Sequence, residues 1–235
     1  VQPVEVNKPI LTTFPPQRDA ASINTGIVIC SPPVNVSHVK YYVGGADPFN
    51  VDKTDNSASL GSFYIMQKRT DDYTDSDNES IVAYYNGRKD IRDFRNKLRN
   101  TLIYYGALVG GVTLLHEAAD DSLTQWFSEQ NETYFLEETY NLSREINPKY
   151  SGHNAYGLRP TPNNQSYYIS RALDYFEEEL PDGRPGLWRL KDPYLVEQVL
   201  NYDGDLSDKD ALVAFGHSIT PVSYTHLRAH ETVLD

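Results

Sequence analysis

Three carboxylates stand where elements of the chain are expected to end, and a pocket can be assembled there from distant segments. Asp47 follows the first core strand, Glu117 follows the fourth, and Asp208 sits where the last helix begins, with Asp205 and Asp210 close by. If the two strands are neighbours and parallel, Asp47 and Glu117 meet at one edge of the sheet. Two carboxylates about 4 Å apart repel by roughly 4 kcal/mol at an effective dielectric near 20. Either one of them takes a proton or a cation lies between them. No histidine or cysteine cluster selects zinc, and all-oxygen ligands favour Mg²⁺ or Mn²⁺. Two such ions about 3.5–4 Å apart can stabilise both the attacking and the leaving oxygen of a phosphodiester. Each acid also has a plainer explanation. An Asp before a proline is an ordinary turn residue, and an Asp before an apolar helix is an ordinary cap. Glu117 is the most suggestive, because an acid closing an apolar strand is costly to bury unpaired.

The elements that must position these residues can be read from periodicity and turn chemistry. Strands are expected at 26–30, 39–43, 60–66, 80–85 and 112–117, rich in β-branched and aromatic residues. Gly44-Gly45-Ala46-Asp47-Pro48 reads as a turn after the second of them. Residues 50–59 read as a polar loop and 71–78 as an acidic hairpin tip. Asn86-Gly87 closes the strand at 80–85. Ile91, Phe94, Leu98 and Leu102 recur at helical spacing. A helix through Leu123, Trp126 and Phe127 can be capped by Asp120 or Asp121. Residues 147–165 read mostly as loop, 166–180 as a helix and 187–190 as a short strand. A further helix spans 194–200 after Asp192-Pro193, and an apolar helix spans 211–219. This order predicts an α/β fold, a mixed central sheet with helices on its faces.

Composition narrows the function classes. The 235 residues hold 21 Lys+Arg against 33 Asp+Glu, a net charge of −12. That balance argues against a protein that coats DNA, but not against an enzyme touching it through a local patch. With 39% hydrophobic and 23% charged residues the chain suits a folded globular protein. No apolar run approaches the ~18–20 residues needed to span a bilayer, and no charged-then-apolar signal pattern opens the sequence. A single cysteine, Cys30, excludes an internal disulfide and a cysteine-built zinc site. Between 88 and 99 six basic residues face two acidic ones, with Arg88, Arg92, Arg95 and Arg99 on one helix face. That stripe could meet a DNA backbone, or be a solvated face pairing with Asp90 and Asp93.

The pieces YYVGGADPFNVD, SLGSFYIMQ, IVAYYNGR, DFRNKL and TLLHE, followed by YGLRPTPNNQ and LWRLKDPYLVEQVLNYDGDLSDKDALVAFGHS, carry a resemblance. In order and spacing they resemble the C-terminal nuclease domain of tailed-phage terminase large subunits, especially the crAss-like and large-phage type. The resemblance covers most of residues 25–219. It implies an RNase H-like fold and metal-dependent cleavage of double-stranded DNA with two Mg²⁺ or Mn²⁺ ions. By position Asp47, Glu117 and Asp208 look like the family's metal-binding acids, with Asp205 and Asp210 within reach of the same loop. Lys209 stands where Arg is commoner, and Ala118 where a polar residue is expected. The family's ATPase half would carry a G-x-x-x-x-G-K-[ST] loop, and no such run occurs. The resemblance further implies the portal, the small terminase subunit and an ATPase domain as partners, and the host cytoplasm as the place of action, with no membrane. Residues 1–24 are read as an arm from the ATPase part, 25–221 as the nuclease domain, and 222–235 as a foreign, adapter-derived tail. Two rivals stay open: a resolvase- or transposase-like nuclease of the same fold, and a non-catalytic packaging or virion protein.

Overall fold

The computed structural model describes residues 26–34, 41–48, 60–68, 79–87, 90–109, 111–149, 156–180 and 182–231. The expected arm at 1–24, the loop at 50–59, the hairpin tip at 71–78 and Arg88 lie outside them. Five strands, β1 (Val28–Ile29), β2 (Tyr42–Asp47), β3 (Gly61–Gln67), β4 (Ile81–Gly87) and β5 (Val112–His116), form one mixed sheet in the order β1-β4-β3-β2-β5. β4, β3 and β2 make an antiparallel meander, and β5 lies parallel to β2. This α/β arrangement is compatible with the RNase H-like sheet expected from the sequence.

Alternation along the strands sorts the side chains into two layers. On one face Tyr42, Ala46, Phe63, Ile65 and Tyr85 pack beneath α1 (Ile91–Val109) and α2 (Ser122–Glu129), through Phe94, Leu98, Leu102 and Phe127. On the other face Val43, Tyr64, Met66 and Tyr84 pack beneath α4 (Pro162–Glu177), α5 (Pro193–Leu200) and α6 (Asp210–Glu231), through Tyr168, Ala172, Leu195 and Phe215. A short helix, α3 (Tyr140–Ile146), closes a small cluster of Leu115, Leu142 and Leu158. Both borders of the sheet are short. β1 contributes two residues, and β5 is met on its outer side by single bridges at Leu136 and Leu158.

Three expectations need correction. Gly44 and Gly45 are not a turn but the middle of β2. A Cβ on Gly45 would stand 2.1 Å from the Ser218 nitrogen and 2.2 Å from the Ala214 oxygen, so glycine is required where the backbone of α6 rests on the strand. Asn86-Gly87 likewise continues β4. Residues Gly186–Arg189 form a 3-10 turn rather than a strand. In addition, α4 starts four residues earlier than expected, at Pro162, with the Thr161 hydroxyl accepting the Asn164 N–H at 3.3 Å. α6 runs on to Glu231, past residue 221. Among the described residues no helix is long and apolar enough to cross a membrane.

Candidate metal centre

The parallel pairing of β2 with β5 sets the register Ala46↔His116, and the Glu117 N–H donates to the Ala46 carbonyl at 2.9 Å. Asp47 and Glu117 therefore leave adjacent strands side by side, about 4.8 Å apart across the ladder, and on the same face of the sheet. Glu117 is held from its other side as well. Leu158 N–H donates to the His116 carbonyl at 2.9 Å, and Ala118 N–H donates to the Leu158 carbonyl at 2.8 Å. Gly157 makes this approach possible. Its φ is +74°, and a Cβ there would fall 2.7 Å from His116 Nε2 and 2.8 Å from the Ala118 Cβ. The same crowding explains why residue 118 is a small, fully buried alanine rather than a polar residue.

Of Asp205, Asp208 and Asp210, it is Asp210 whose charge acts on Asp47 and Glu117. Asp210 sits in the first turn of α6, is buried, and accepts the Leu60 N–H at 3.0 Å, which ties the helix start to the head of β3. Its negative charge suits the positive end of the helix dipole. Asp208 is exposed and left-handed (φ 56°), and its carbonyl accepts Gln198 Nε2 at 2.9 Å. The other end of the same amide, Gln198 Oε1, accepts the Leu212 N–H at 2.9 Å. The buried Gln198 thus sets where α6 begins and turns Asp208 outward. Asp205 folds back on its own loop, accepting the Ser207 N–H at 2.9 Å, and this hydrogen bonding holds its carboxyl below the usual range.

Asp47 and Glu117 are half-buried, so solvent reaches them. Burial, then the charge of Glu117, then that of Asp210 hold the Asp47 carboxyl well above the ordinary range. Glu117 is pushed up to about 7, by burial first; a hydrogen bond from Tyr168 opposes the rise and Asp210 adds to it. Each carboxylate's charge thus works against ionisation of the other. Tyr168 Oη lies 3.4 Å from Glu117 Oε2, and its ring packs against His217 at 4.4 Å. Glycine at 216 leaves room for that ring, since a Cβ there would sit 2.9 Å from it. Tyr168, which falls within the helix expected at 166–180, thus touches one of the candidate acids.

The donor set is oxygen-only, and the acids carry charge that burial disfavours, which fits a hard divalent cation. As the side chains stand, no group of three or more His, Cys, Asp or Glu among the described residues is gathered closely enough to hold a metal ion. The three acids interact through space, and a cation there would require their side chains to draw together. One more group on this face is suited to such a site. Ser62 is in register with Asp47, is fully buried, and its hydroxyl has no hydrogen-bond partner among the described residues.

The remaining candidates lie elsewhere. The arginine stripe is on α1, across the sheet from the acids. Arg92 is exposed, and Arg99 makes a paired contact with Glu132 at 2.6 and 2.5 Å. Arg95 is half-buried, and burial lowers its pKa. His116 and His217 are buried and neutral, pushed down to about 3 and about 4, chiefly by burial. His116 Nε2 meets Thr124 at 3.1 Å on the α2 side, the face opposite Glu117. A groove of about 450 Å³ runs between the start of α4 and the 202–207 loop, lined by Gln165, Ser166, Tyr202, Leu206 and Ser207 among others. Its walls do not include the three acids, but Gln165 lies one turn ahead of Tyr168. No protein-family model and no curated protein matches this chain.

Proposed function

We propose that the chain is a divalent-metal-dependent endodeoxyribonuclease, acting as the nuclease part of a phage DNA-packaging terminase. The observation that carries the reading is that Asp47 and Glu117 leave adjacent parallel strands side by side on one face of the sheet, with the charge of Asp210 acting on both. Asp47, Glu117 and Asp210 are the residues that would hold the ions. Bound there, Mg²⁺ or Mn²⁺ would supply charge neutralisation and an activated water for phosphodiester hydrolysis. The chain's own part is to hold the acids. The β2–β5 register fixes Asp47 against Glu117, Tyr168 orients Glu117, and Gln198 with the Leu60 N–H places Asp210. The substrate of this reading is concatemeric double-stranded DNA, contacted through phosphates and therefore with low sequence selectivity. Its setting is the host cytoplasm, with the portal, the small terminase subunit and an ATPase domain as partners that bring DNA to a domain whose net charge of −12 disfavours unaided binding.

The test is plasmid nicking by the purified chain. Cleavage is expected with Mn²⁺ and not with EDTA. Asp47→Ala, Glu117→Ala and Asp210→Asn should abolish it, while Asp208→Ala should cut like the parent. Undiminished cutting by Asp47→Ala would refute the site, and loss in Asp208→Ala with retention in Asp210→Asn would exchange the third acid.

A further inference from the structure

We propose that Ser62 is a positioning residue of the acid pocket, its hydroxyl donating a hydrogen bond to the Asp47 carboxylate when that carboxylate holds a divalent cation. The inference rests on the cation-binding reading above and adds to it a residue outside the three acids.

Ser62 lies on β3 directly opposite Asp47, and Asn86 of β4 lies opposite Ser62. Directly opposed residues of an antiparallel pair share a face, with Cβ atoms roughly 4.5–5.5 Å apart. Ser62 and Asp47 are therefore neighbours beneath α6, at the side of the pocket where Asp210 takes the Leu60 N–H. Asn86 does not serve Ser62. Its amide is committed to Asp192 at 2.6 Å and to the Tyr64 hydroxyl at 3.1 Å. The Ser62 hydroxyl is left fully buried without a partner among the described residues. Buried polar groups are nearly always paired, and an orphan next to a functional cluster is expected to gain its partner in another state of that cluster. Alanine would fill this position without an unpaired oxygen, so packing gives no reason for serine.

The chemistry supplies the missing state. As the side chains stand, the Ser62 hydroxyl is not bonded to Asp47. A carboxylate drawn to a cation would still have oxygen lone pairs in need of a donor inside the protein. Ser62 Oγ is the hydroxyl in register to give it, and a short side-chain rotation brings the two together. Partners of this kind orient metal-binding carboxylates, and their loss weakens metal affinity about 10–100-fold.

The experiment titrates Mn²⁺ into the whole chain, following free Mn²⁺ by electron paramagnetic resonance, alongside the melting temperature in EDTA. Ser62→Ala and Ser62→Cys are compared with the parent; the thiol is bulkier than the hydroxyl and only a weak donor. Both variants should bind Mn²⁺ about tenfold or more weakly. Without metal, Ser62→Ala should melt at the parent's temperature or above it, because an unpaired buried hydroxyl has been removed. The proposal is overturned if Ser62→Ala binds Mn²⁺ as tightly as the parent, or if it melts several degrees lower in EDTA, which marks a purely structural serine. A parent that binds no Mn²⁺ sinks the cation reading and Ser62's role with it; a parent that binds, with variants that bind equally well, sinks the role of Ser62 alone.

Discussion

Replacing Gly45 by alanine tests how the pocket is built. The added methyl carbon would stand 2.1 Å from the Ser218 nitrogen, 2.2 Å from the Ala214 oxygen and 2.7 Å from the His217 carbonyl carbon. All three are backbone atoms of α6, so no side chain can swing aside. Ordinary carbon contacts begin near 3.4 Å, and the helix would have to withdraw from β2 by about 1 Å. Overpacking of this kind costs about 1–3 kcal/mol, and the rigidity of a helix backbone places it at the upper end, about 3 kcal/mol. Gly44→Ala is the internal control. It alters the neighbouring residue of the same strand, but its methyl would meet only side-chain tips, Ile65 Cδ1 and Leu114 Cδ1, each at 3.1 Å. Its cost should stay under about 1 kcal/mol. Urea unfolding of the two variants at equal conditions reads the difference as a midpoint displaced by about 1 M or more. Because α6 carries Asp210, Gly45→Ala should also weaken cleavage about 100-fold under conditions where it remains folded, as a 1 Å misplacement of a catalytic group does. Coincident unfolding of Gly44→Ala and Gly45→Ala would refute the account of α6 seated on the bare backbone of β2.

Three further outcomes follow from the electrostatics. The folded chain keeps a proton on Asp47 that the unfolded chain releases above about pH 4, so this group lowers stability as pH rises; in EDTA the stability gain of Asp47→Asn over the parent should be near zero at pH 4 and largest at pH 8, and a gain independent of pH would contradict the raised pKa. Tyr168→Phe removes the hydrogen bond that opposes the rise of Glu117, so in EDTA the Glu117 carboxyl, followed by its carbon chemical shift, should titrate above about 7; an unmoved titration means the hydroxyl does not act on Glu117. Arg99→Ala should leave plasmid cleavage unchanged and cost about 1 kcal/mol in thermal or urea unfolding, because buried Glu132 loses its two-point partner; a large loss of DNA cleavage would instead place α1 on the DNA path.

Strand alternation made much of this site legible. Asp47 and Glu117 stand at the ends of apolar strands, and the condition that those strands be parallel neighbours is met by β2 and β5. What the sequence hid is contact over long separations. A glycine that admits a helix some 170 residues later looks the same as a glycine that makes a turn, so Gly44-Gly45 was read as the end of a strand it lies within. Which acid of the 205–210 stretch acts on Asp47 and Glu117 is hidden for a similar reason. The apolar run begins at Ala211, which permits a cap at either Asp208 or Asp210, and the choice is made by Gln198, an amide from another helix. α3 was missed because only Leu142 and Ile146 of its seven residues are aliphatic, too few to show a period. The early start of α4 was readable: Thr161-Pro162 carries both the cap and the first-position proline.

The two-residue β1 and the single bridges flanking β5 have a consequence for assembly. Among the described residues neither border of the sheet offers a long row of open amides and carbonyls on which a foreign strand could grow. Other molecules, including further copies of this chain, would then meet it through helices and loops, joined by side chains rather than by continuous sheet.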